Sequence, residues 1–301
     1  MSERTRKLLL VAAGGAIGWS LSRKALGPIF GYPREWRRFT HEHRDLLRLL
    51  RELSNLSDRA LGRTHTIKTV ADRTVFFLGC LCWADFGETI MLAANGMGIG
   101  ATKLLRSLYE HAVTAQYISK HPDEAAAFER YAHVQEHKIL HHARRMELKN
   151  LFTPEREANI DQAFEEVKAE YRQRPCPECG RPGQISWTQK DLLTMAKETG
   201  DGLEKLYLQC YVDPTVHAHA TPLAFMSRLV TDSANTAFVP GPQRERAAHA
   251  LLFAYAVTLL ALRTQDAYFA LDLDRELLAH AEQFSAAFQI EIARAADNSG
   301  Q

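Results

Sequence analysis

Residues 104–118 constrain the fold of this chain more than any other segment, because their pattern predicts a helix with apolar side chains around most of its circumference. Such a helix belongs in the interior of a protein. Two charged residues, Arg106 and Glu110, nevertheless lie one turn apart within it. A buried charge must be paired or must serve a function. The segment therefore predicts a central helix and marks a candidate polar site on it.

The rest of the chain is also helical in pattern. Ala, Leu, Arg and Glu are frequent and favour helices, whereas no strand-like alternation lasts beyond a few residues. Predicted helices end near the turn residues at 95–100 and at His121–Pro122, and a long helix starts at Pro240–Pro242. Thr153 is a suitable N-cap before Pro154. We expect an all-α fold, an antiparallel multi-helix bundle over residues 33–296. Further helices are predicted over residues 33–61, 68–94, 123–150, 154–174, 188–199, 201–211, 242–271 and 274–296.

The N-terminal segment, residues 1–27, is expected to form an apolar helix. Residues 8–22 carry no charge and are flanked by basic residues on both sides. As a helix they would be about 22 Å long, short of the roughly 30 Å hydrocarbon core of a membrane. Two interpretations remain open: a short membrane anchor, or a helix packed on the protein or a partner. The odd number of cysteines, five, spread over different contexts, does not indicate a disulfide framework and favours a cytoplasmic location.

Residues 175–184 form a predicted loop insertion that contains Cys176 and Cys179. A Cys-x-x-Cys turn of this kind resembles half of a zinc knuckle. A structural zinc site needs four ligands, and the sequence has no second Cys-x-x-Cys. Zinc, the one cofactor that the sequence suggests, would need histidine ligands or a second subunit in a homodimer. A reversible disulfide and two free thiols are the alternatives.

Three histidines, His133, His137 and His141, follow one another at four-residue spacing along a predicted helix. The spacing suits metal chelation, but the first and last imidazoles would lie about 12 Å apart along the axis. On a helical wheel they lie opposite Ile139 and Met146, which are expected to be buried. We therefore interpret them as a solvated face.

Several short motifs occur in an order and spacing that resemble a known family. The chain is similar, over about residues 40–270, to a bacterial all-helical domain family of unknown function. The residues that carry the resemblance are the Leu-Arg-Ser-Leu-Tyr-Glu run at 105–110, Tyr117, Ile118, Pro122, Arg130, Tyr131, Lys138, Trp187 and a late box with Tyr207, Tyr211, Val216 and His217.

The resemblance implies that the Arg-x-x-x-Glu pair and the late histidine form one internal polar site. Arg106, Glu110 and His217 are the matching positions, and Asp213 stands where the family pattern has a serine. Of His217 and His219, only one is expected to face inward, since alternate residues of an extended segment point to opposite sides. The side chains expected to form the walls of the site are Tyr117, Lys138, Trp187 and Tyr211.

These residues suit a pocket that binds or processes a phosphate-bearing ligand such as RNA. Arg106 would hold an anionic group, Glu110 would orient Arg106 or act as a base, and His217 would transfer a proton. The alternative is a non-catalytic helical sensor or scaffold, tethered to a membrane through residues 8–22. Whether the chain is an enzyme stays open at this point.

A weaker resemblance concerns Arg106 and His111, which form the Arg-x4-His motif of HEPN-type ribonucleases. That resemblance implies cleavage of RNA without a metal ion, with both side chains acting on the ribose and phosphate. A regular helix, however, points the two side chains about 140° apart. Both could then meet one substrate only at a helix end or across a dimer interface.

Overall fold

The computed structural model describes residues 32–62, 67–148, 150–171, 186–231, 236–239 and 241–299. The predicted apolar helix in residues 1–27 and the Cys-x-x-Cys loop lie outside the described residues. The helices are α1 (Pro33–Glu42), α2 (Arg44–Leu61), α3 (Val70–Ala94), α4 (Gly98–Lys120), α5 (Ala125–Arg145), α6 (Pro154–Val167), α7 (Leu192–Thr199), α8 (Leu203–Tyr207), α9 (Asp213–Ala218), α10 (Pro222–Met226), α11 (Arg244–Phe269) and α12 (Asp274–Ser299).

The fold is all-α, as predicted, with one small exception. Strands β1 (Leu229–Thr231) and β2 (Thr236–Phe238) form an antiparallel hairpin in which Val230 faces Ala237. A 3-10 turn precedes α5, and a π-helical turn, Leu208–Val212, joins α8 to α9. The hairpin is not predicted by the sequence, because three residues per strand are too few for a visible alternation of apolar and polar residues.

Helices α3, α4 and α11 pack against one another and form the core. Leu105, Leu108 and Val113 of α4 are fully buried, and each such side chain contributes about 1.5–3 kcal/mol. The Tyr109 hydroxyl donates to the Leu203 carbonyl at 2.8 Å, which brings α8 onto another side of α4. The prediction of an interior helix at the centre of the fold is confirmed.

Two of these core helices, α3 and α11, are long and apolar enough to cross a membrane. Core helices of soluble proteins have the same composition. In α11, 61% of the most apolar window is buried inside the protein, against 33% in α3. Phe77 and Leu81 remain exposed on the outer side of α3. Composition alone therefore does not separate a core helix from a membrane span here.

Helix α4 begins at Gly98, earlier than predicted, inside the turn residues 95–100. A Cβ at Gly98 would lie 2.2 Å from the Gln243 carbonyl oxygen and 2.6 Å from the Ala247 nitrogen. The missing side chain thus allows the starts of α4 and α11 to approach closely. The turn before it uses Gly96 at φ +76°, a left-handed conformation that favours glycine.

The predicted buried face of α5 is wrong. Ile139 and Met146 are exposed, whereas Val134 is buried against Val167 of α6 and its neighbours. The reason is that α6 covers the side of α5 that the helical wheel assigned to solvent, and His137 stacks on Phe164 with ring centroids 3.8 Å apart. Among the described residues, no group of three or more His, Cys, Asp or Glu side chains could hold a metal ion.

Candidate functional site

Arg106 is the centre of a small polar cluster on the side of α4. Its Nε donates to Glu110 Oε1 at 3.0 Å, one turn further along the helix. Its guanidinium carbon lies 4.9 Å from the centre of the Tyr211 ring, a cation–π distance. Nη1 lies 3.3 Å from Nε2 of His219. The structure therefore brings Arg106, Glu110 and Tyr211 together, as expected, and adds His219.

The Arg106–Glu110 pair is not enclosed in the interior. The side chains are 26% and 41% exposed, respectively. Helices α3 and α11 cover α4 along its apolar faces, so the charged edge of α4 is left at the surface. The expectation of an interior charge pair is corrected here: the pair lies beside a groove, not within a closed cavity.

His217 is buried, whereas His219 is exposed. His217 lies on the inner side of α9, and His219 follows the helix in an extended conformation (φ −111°, ψ 162°). The prediction that His217 faces inward agrees with its burial, although it lies on a helix and not on an extended segment. The contact with Arg106 that was expected of His217 is made instead by His219, which was predicted to face away from the interior.

Unusual surroundings distinguish the His217 imidazole. Its Nε2 lies 3.9 Å from Asp213 Oδ1, and its buried Nδ1 has no hydrogen-bond partner among the described residues. Asp213 in turn forms a close ion pair with Arg246. Burial lowers the pKa of His217, and the nearby Arg246 and Lys103 cations lower it further, against an opposing effect of Asp213. His217 is therefore uncharged at neutral pH.

Both histidines line one open groove of about 560 Å³ between α4, α9 and the segment that carries α10 and the hairpin. We call it the cationic groove. Its charged side chains are Lys103 and Arg228, and none of the described residues that line it is acidic. Its apolar and small lining residues are Ile99, Ala220, Thr221, Pro222, Ala224, Phe225 and Phe238.

Neither of the two cations of the groove has a carboxylate partner among the residues that the structure describes. Lys103 has no hydrogen bond or ion pair within the part of the chain that the structure describes. Arg228 donates from Nε and Nη2 to the Val239 carbonyl at 2.9 and 2.6 Å, and its guanidinium lies 4.8 Å from the Phe238 ring centre. Those bonds hold Arg228 in place, and its Nη1 has no partner among the described residues. Among the described residues that line the groove, its positive charge therefore has no acidic counterpart.

Tyr117 and Trp187 form a different cluster at the other end of α4. The Tyr117 hydroxyl bonds to Glu124 at 2.5 Å and accepts from Lys190 Nζ at 2.8 Å, and Trp187 packs edge-on against its ring. Eleven residues of helix separate Tyr117 from Arg106, a distance of about 16 Å along the axis. The structure therefore does not bring these two expected wall residues to the Arg106 cluster.

Lys138 and His111 also lie apart from the groove. Lys138 is on α5, where its Nζ donates to the Tyr131 hydroxyl at 3.2 Å. His111 Nδ1 lies 2.9 Å from Asp85 Oδ2 of α3, on a different side of α4 from the Arg106 contacts. Neither side chain lines the cationic groove.

The predicted metal ligands, Cys176 and Cys179, lie outside the described residues. Zinc binding by this pair therefore stays a prediction. Three other cysteines, Cys80, Cys82 and Cys210, are free thiols, and burial raises the pKa of each.

Three groove residues were missed from the sequence: Lys103, His219 and Arg228. A signal existed for Lys103, because it precedes Arg106 by three residues and so shares its side of the helix. His219 was set aside by an argument that holds only for an extended strand. Arg228 is placed at the groove by the hairpin, which the sequence does not predict.

Comparison with known proteins supports the resemblance to a domain family of unknown function. No curated protein and no solved structure matches the chain. None of the comparisons names a HEPN-type ribonuclease. The sequence model of a family of unknown function (DUF5677) matches residues 82–236, which include α4, the late histidines and the hairpin. Since the match spans more than half of the 301 residues, the chain belongs to this family of unknown function.

Proposed function

We propose that the cationic groove binds a phosphate-bearing anion. The observation that carries this proposal is the lining of the groove: Lys103, Arg228 and two histidines converge on one space that no described carboxylate enters. Ammonium, guanidinium and imidazole donors are the groups that proteins use to bind phosphate oxygens. The apolar remainder of the lining would lower the effective dielectric constant around such contacts and strengthen them.

Each cation would contribute a different kind of contact. Lys103 supplies a point charge on a flexible stem, so it can follow a phosphate group within the groove. Arg228 is fixed by its two bonds to the Val239 carbonyl. Its Nη1, which bonds to none of the residues that the structure describes, is the donor left for a ligand. A mobile and a fixed donor together favour an anion with more than one phosphate oxygen in reach.

Arg106 and Glu110 serve this site as positioning residues. When Arg106 donates to His219 Nε2, the ring proton of His219 lies on Nδ1, which is then the donor for a ligand. Glu110 holds the guanidinium from the other side. This assignment replaces the direct anion clamp that the sequence suggested for Arg106.

His217 has the properties of a proton acceptor in this proposal. Its imidazole is uncharged at neutral pH because burial and two neighbouring cations lower its pKa. A neutral imidazole beside the bound anion can accept a proton or donate one hydrogen bond, depending on its tautomer. Processing of the ligand would therefore run through His217, whereas binding alone needs only the donors.

The ribonuclease built on Arg106 and His111 is disfavoured by the contacts of both residues. Arg106 is directed toward Tyr211 and His219, and His111 is bonded to Asp85 on the neighbouring helix. Within one chain, one phosphate cannot meet both side chains in this arrangement, so this ribonuclease would need a dimer interface. If the following experiment detects no binding, a non-catalytic helical sensor or scaffold is the function that remains.

Isothermal titration calorimetry with inorganic pyrophosphate tests the proposal on the full chain. We predict binding by the natural protein and at least a tenfold weaker affinity for Lys103→Gln, since a charge-assisted contact is worth about 1.5–3 kcal/mol. The matched control is Lys205→Gln, which removes an exposed lysine of α8 that does not line the groove. Absence of binding by the natural protein, or equal losses in both variants, would refute the proposal.

A further inference from the structure

Large apolar side chains are concentrated beside the groove and point into solvent. Each of these side chains is more than half exposed. Monomeric soluble proteins rarely display such clusters, which commonly mark contact with a partner or a membrane. We call this cluster the apolar rim; its members are Leu223, Phe225, Met226, Val230 and Phe238, exposed by 63, 62, 61, 58 and 56%.

The helix and the strands that carry the rim are too short to bury its side chains. Helix α10 has five residues, and each strand of the hairpin has three. A two-stranded hairpin of this length is marginally stable alone, and none of its described residues is buried. Arg228 stabilises it from the groove side, where its main-chain carbonyl accepts from Val239 N at 2.8 Å. The apolar side chains are therefore held outward on a fixed support.

Positive charge borders the rim directly. Phe225 and Phe238 belong both to the rim and to the lining of the groove, next to Lys103 and Arg228. Apolar side chains beside basic ones, without acidic neighbours in the lining, match the boundary between acyl chains and anionic headgroups. A soluble protein partner would account for the apolar side chains, but it would not by itself require two cations that pair with no carboxylate among the described residues.

The chain preceding the described residues joins the protein at the same end. Tyr32 N donates to the Asn95 carbonyl at 3.4 Å, and Gln243 N donates to the adjacent Gly96 carbonyl at 3.1 Å. Gln243 follows the last residue of β2 by only five positions, and Ile99 of the groove follows the same turn. The start of the described chain and the rim are thus neighbours.

The sequence before Tyr32 has the composition of an interfacial segment. Residues 8–22 are uncharged, and basic residues precede and follow them. A helix of about 22 Å is too short to span a bilayer but suits a position within its interface. The sequence that leads to Tyr32 therefore combines apolar and basic residues, as the rim and the groove do.

We propose that the apolar rim inserts into the interface of a bilayer containing anionic phospholipid, with a lipid phosphate in the cationic groove. This inference rests on the proposed function and names the source of its phosphate. The rim supplies apolar contact with the acyl chains, while Lys103 and Arg228 contact the headgroup. The protein is then peripheral to the membrane on this side, whatever residues 8–22 contribute separately.

A tryptophan placed in the rim tests the inference with the full chain. Met226 belongs to the rim but does not line the groove, so Met226→Trp reports insertion without altering the anion site. The difference in emission between this variant and the natural protein isolates position 226 from the four natural tryptophans. Vesicles of phosphatidylcholine with and without phosphatidylserine are the probes, with brominated phosphatidylcholine as the quencher. The control is Ile139→Trp, an equally exposed position on α5.

With vesicles that contain phosphatidylserine, we expect the tryptophan emission at position 226 to shift to the blue and to be quenched. Without the anionic lipid, the quenching should be at least fivefold smaller. The tryptophan at position 139 should show neither effect. Lys103→Gln should weaken vesicle binding of the Met226→Trp variant several-fold. Flotation of the protein with position 226 unquenched would overturn the inference, because another segment would then carry the binding. Quenching unaffected by Lys103→Gln would overturn the assignment of the groove to the headgroup.

Soluble probes separate this inference from the proposed function. If pyrophosphate binds to the Met226→Trp variant and vesicles leave its emission unchanged, the membrane inference fails and the proposed function stands. If neither binds, both fail. If single-stranded RNA shifts the emission at position 226 and vesicles do not, the partner of the rim is a nucleic acid and the inference is wrong.

Discussion

At the scale of single residues, the surroundings of each histidine decide its chemistry. His217 and His219 are two residues apart, yet one is buried beside two cations and the other is exposed and bonded to Arg106. His280, far from the groove, is fully buried and bonds to the Tyr255 hydroxyl at 2.7 Å. Only the burial of His217 was anticipated from the sequence, because tertiary contacts set the rest.

Buried histidines should make the stability of the protein depend on pH. Burial lowers the pKa of His217, His249 and His280 below the ordinary value of 6.5. Each binds a proton more readily in the unfolded chain, so its contribution is fully present above about pH 6.5 and is lost as the pH falls toward its folded pKa. The free energy of unfolding should therefore fall with decreasing pH, by up to about 1.4 kcal/mol per pH unit for each histidine.

Urea titrations between about pH 7.5 and pH 5 measure this effect. Carboxylates such as Asp72, whose pKa is lowered to about 2, titrate below that window. His280→Gln should flatten the pH dependence, whereas replacement of the exposed His41 should leave it unchanged. An equally steep profile in the His280→Gln protein would show that this imidazole does not couple to folding.

At the scale of elements, the sequence predicted helices where local signals are strong. Thr153 is the N-cap of α6, as predicted, and accepts from Arg156 N at 3.2 Å. The break between α1 and α2 was not predicted, because His43 at that position bonds to Glu291 of α12, almost 250 residues away. The start of α4 was also predicted too late. Its glycines are typical of a turn in sequence, whereas in the fold they allow a close contact between helices.

The contact between the starts of α4 and α11 can be tested through its glycine. Gly98→Ala should lower the free energy of unfolding by about 1–3 kcal/mol, because the new Cβ would overlap backbone atoms of α11. Gly87→Ala is the matched control on α3. An added Cβ there meets nothing within 4 Å and should stabilise the protein by about 0.5–1 kcal/mol. Chemical denaturation of both variants gives the comparison, and equal effects would contradict the close contact.

At the scale of the whole molecule, the all-α class and the central helix were predictable, whereas the site was predictable only in part. Arg106, Glu110 and Tyr211 do meet. The first two lie one turn apart on one helix, and the resemblance of the late box to the family pattern predicted the third. The groove also needs Lys103 and Arg228, which converge only when α4, α9 and the hairpin have packed. Such convergence leaves no pattern in a single sequence. Tyr117 and Lys138 failed to join the site because α4 and α5 carry them elsewhere.

The convergence of two histidines on one anion site is the central claim of this account. Nuclear magnetic resonance of the protein with isotope-labelled imidazoles, titrated with inorganic pyrophosphate, tests it most directly. The account predicts that the ring signals of His217 and His219 shift together, and that the buried His280 signal stays in place. Unmoved signals of His217 and His219 at saturating pyrophosphate, or equal shifts for all three histidines, would contradict it.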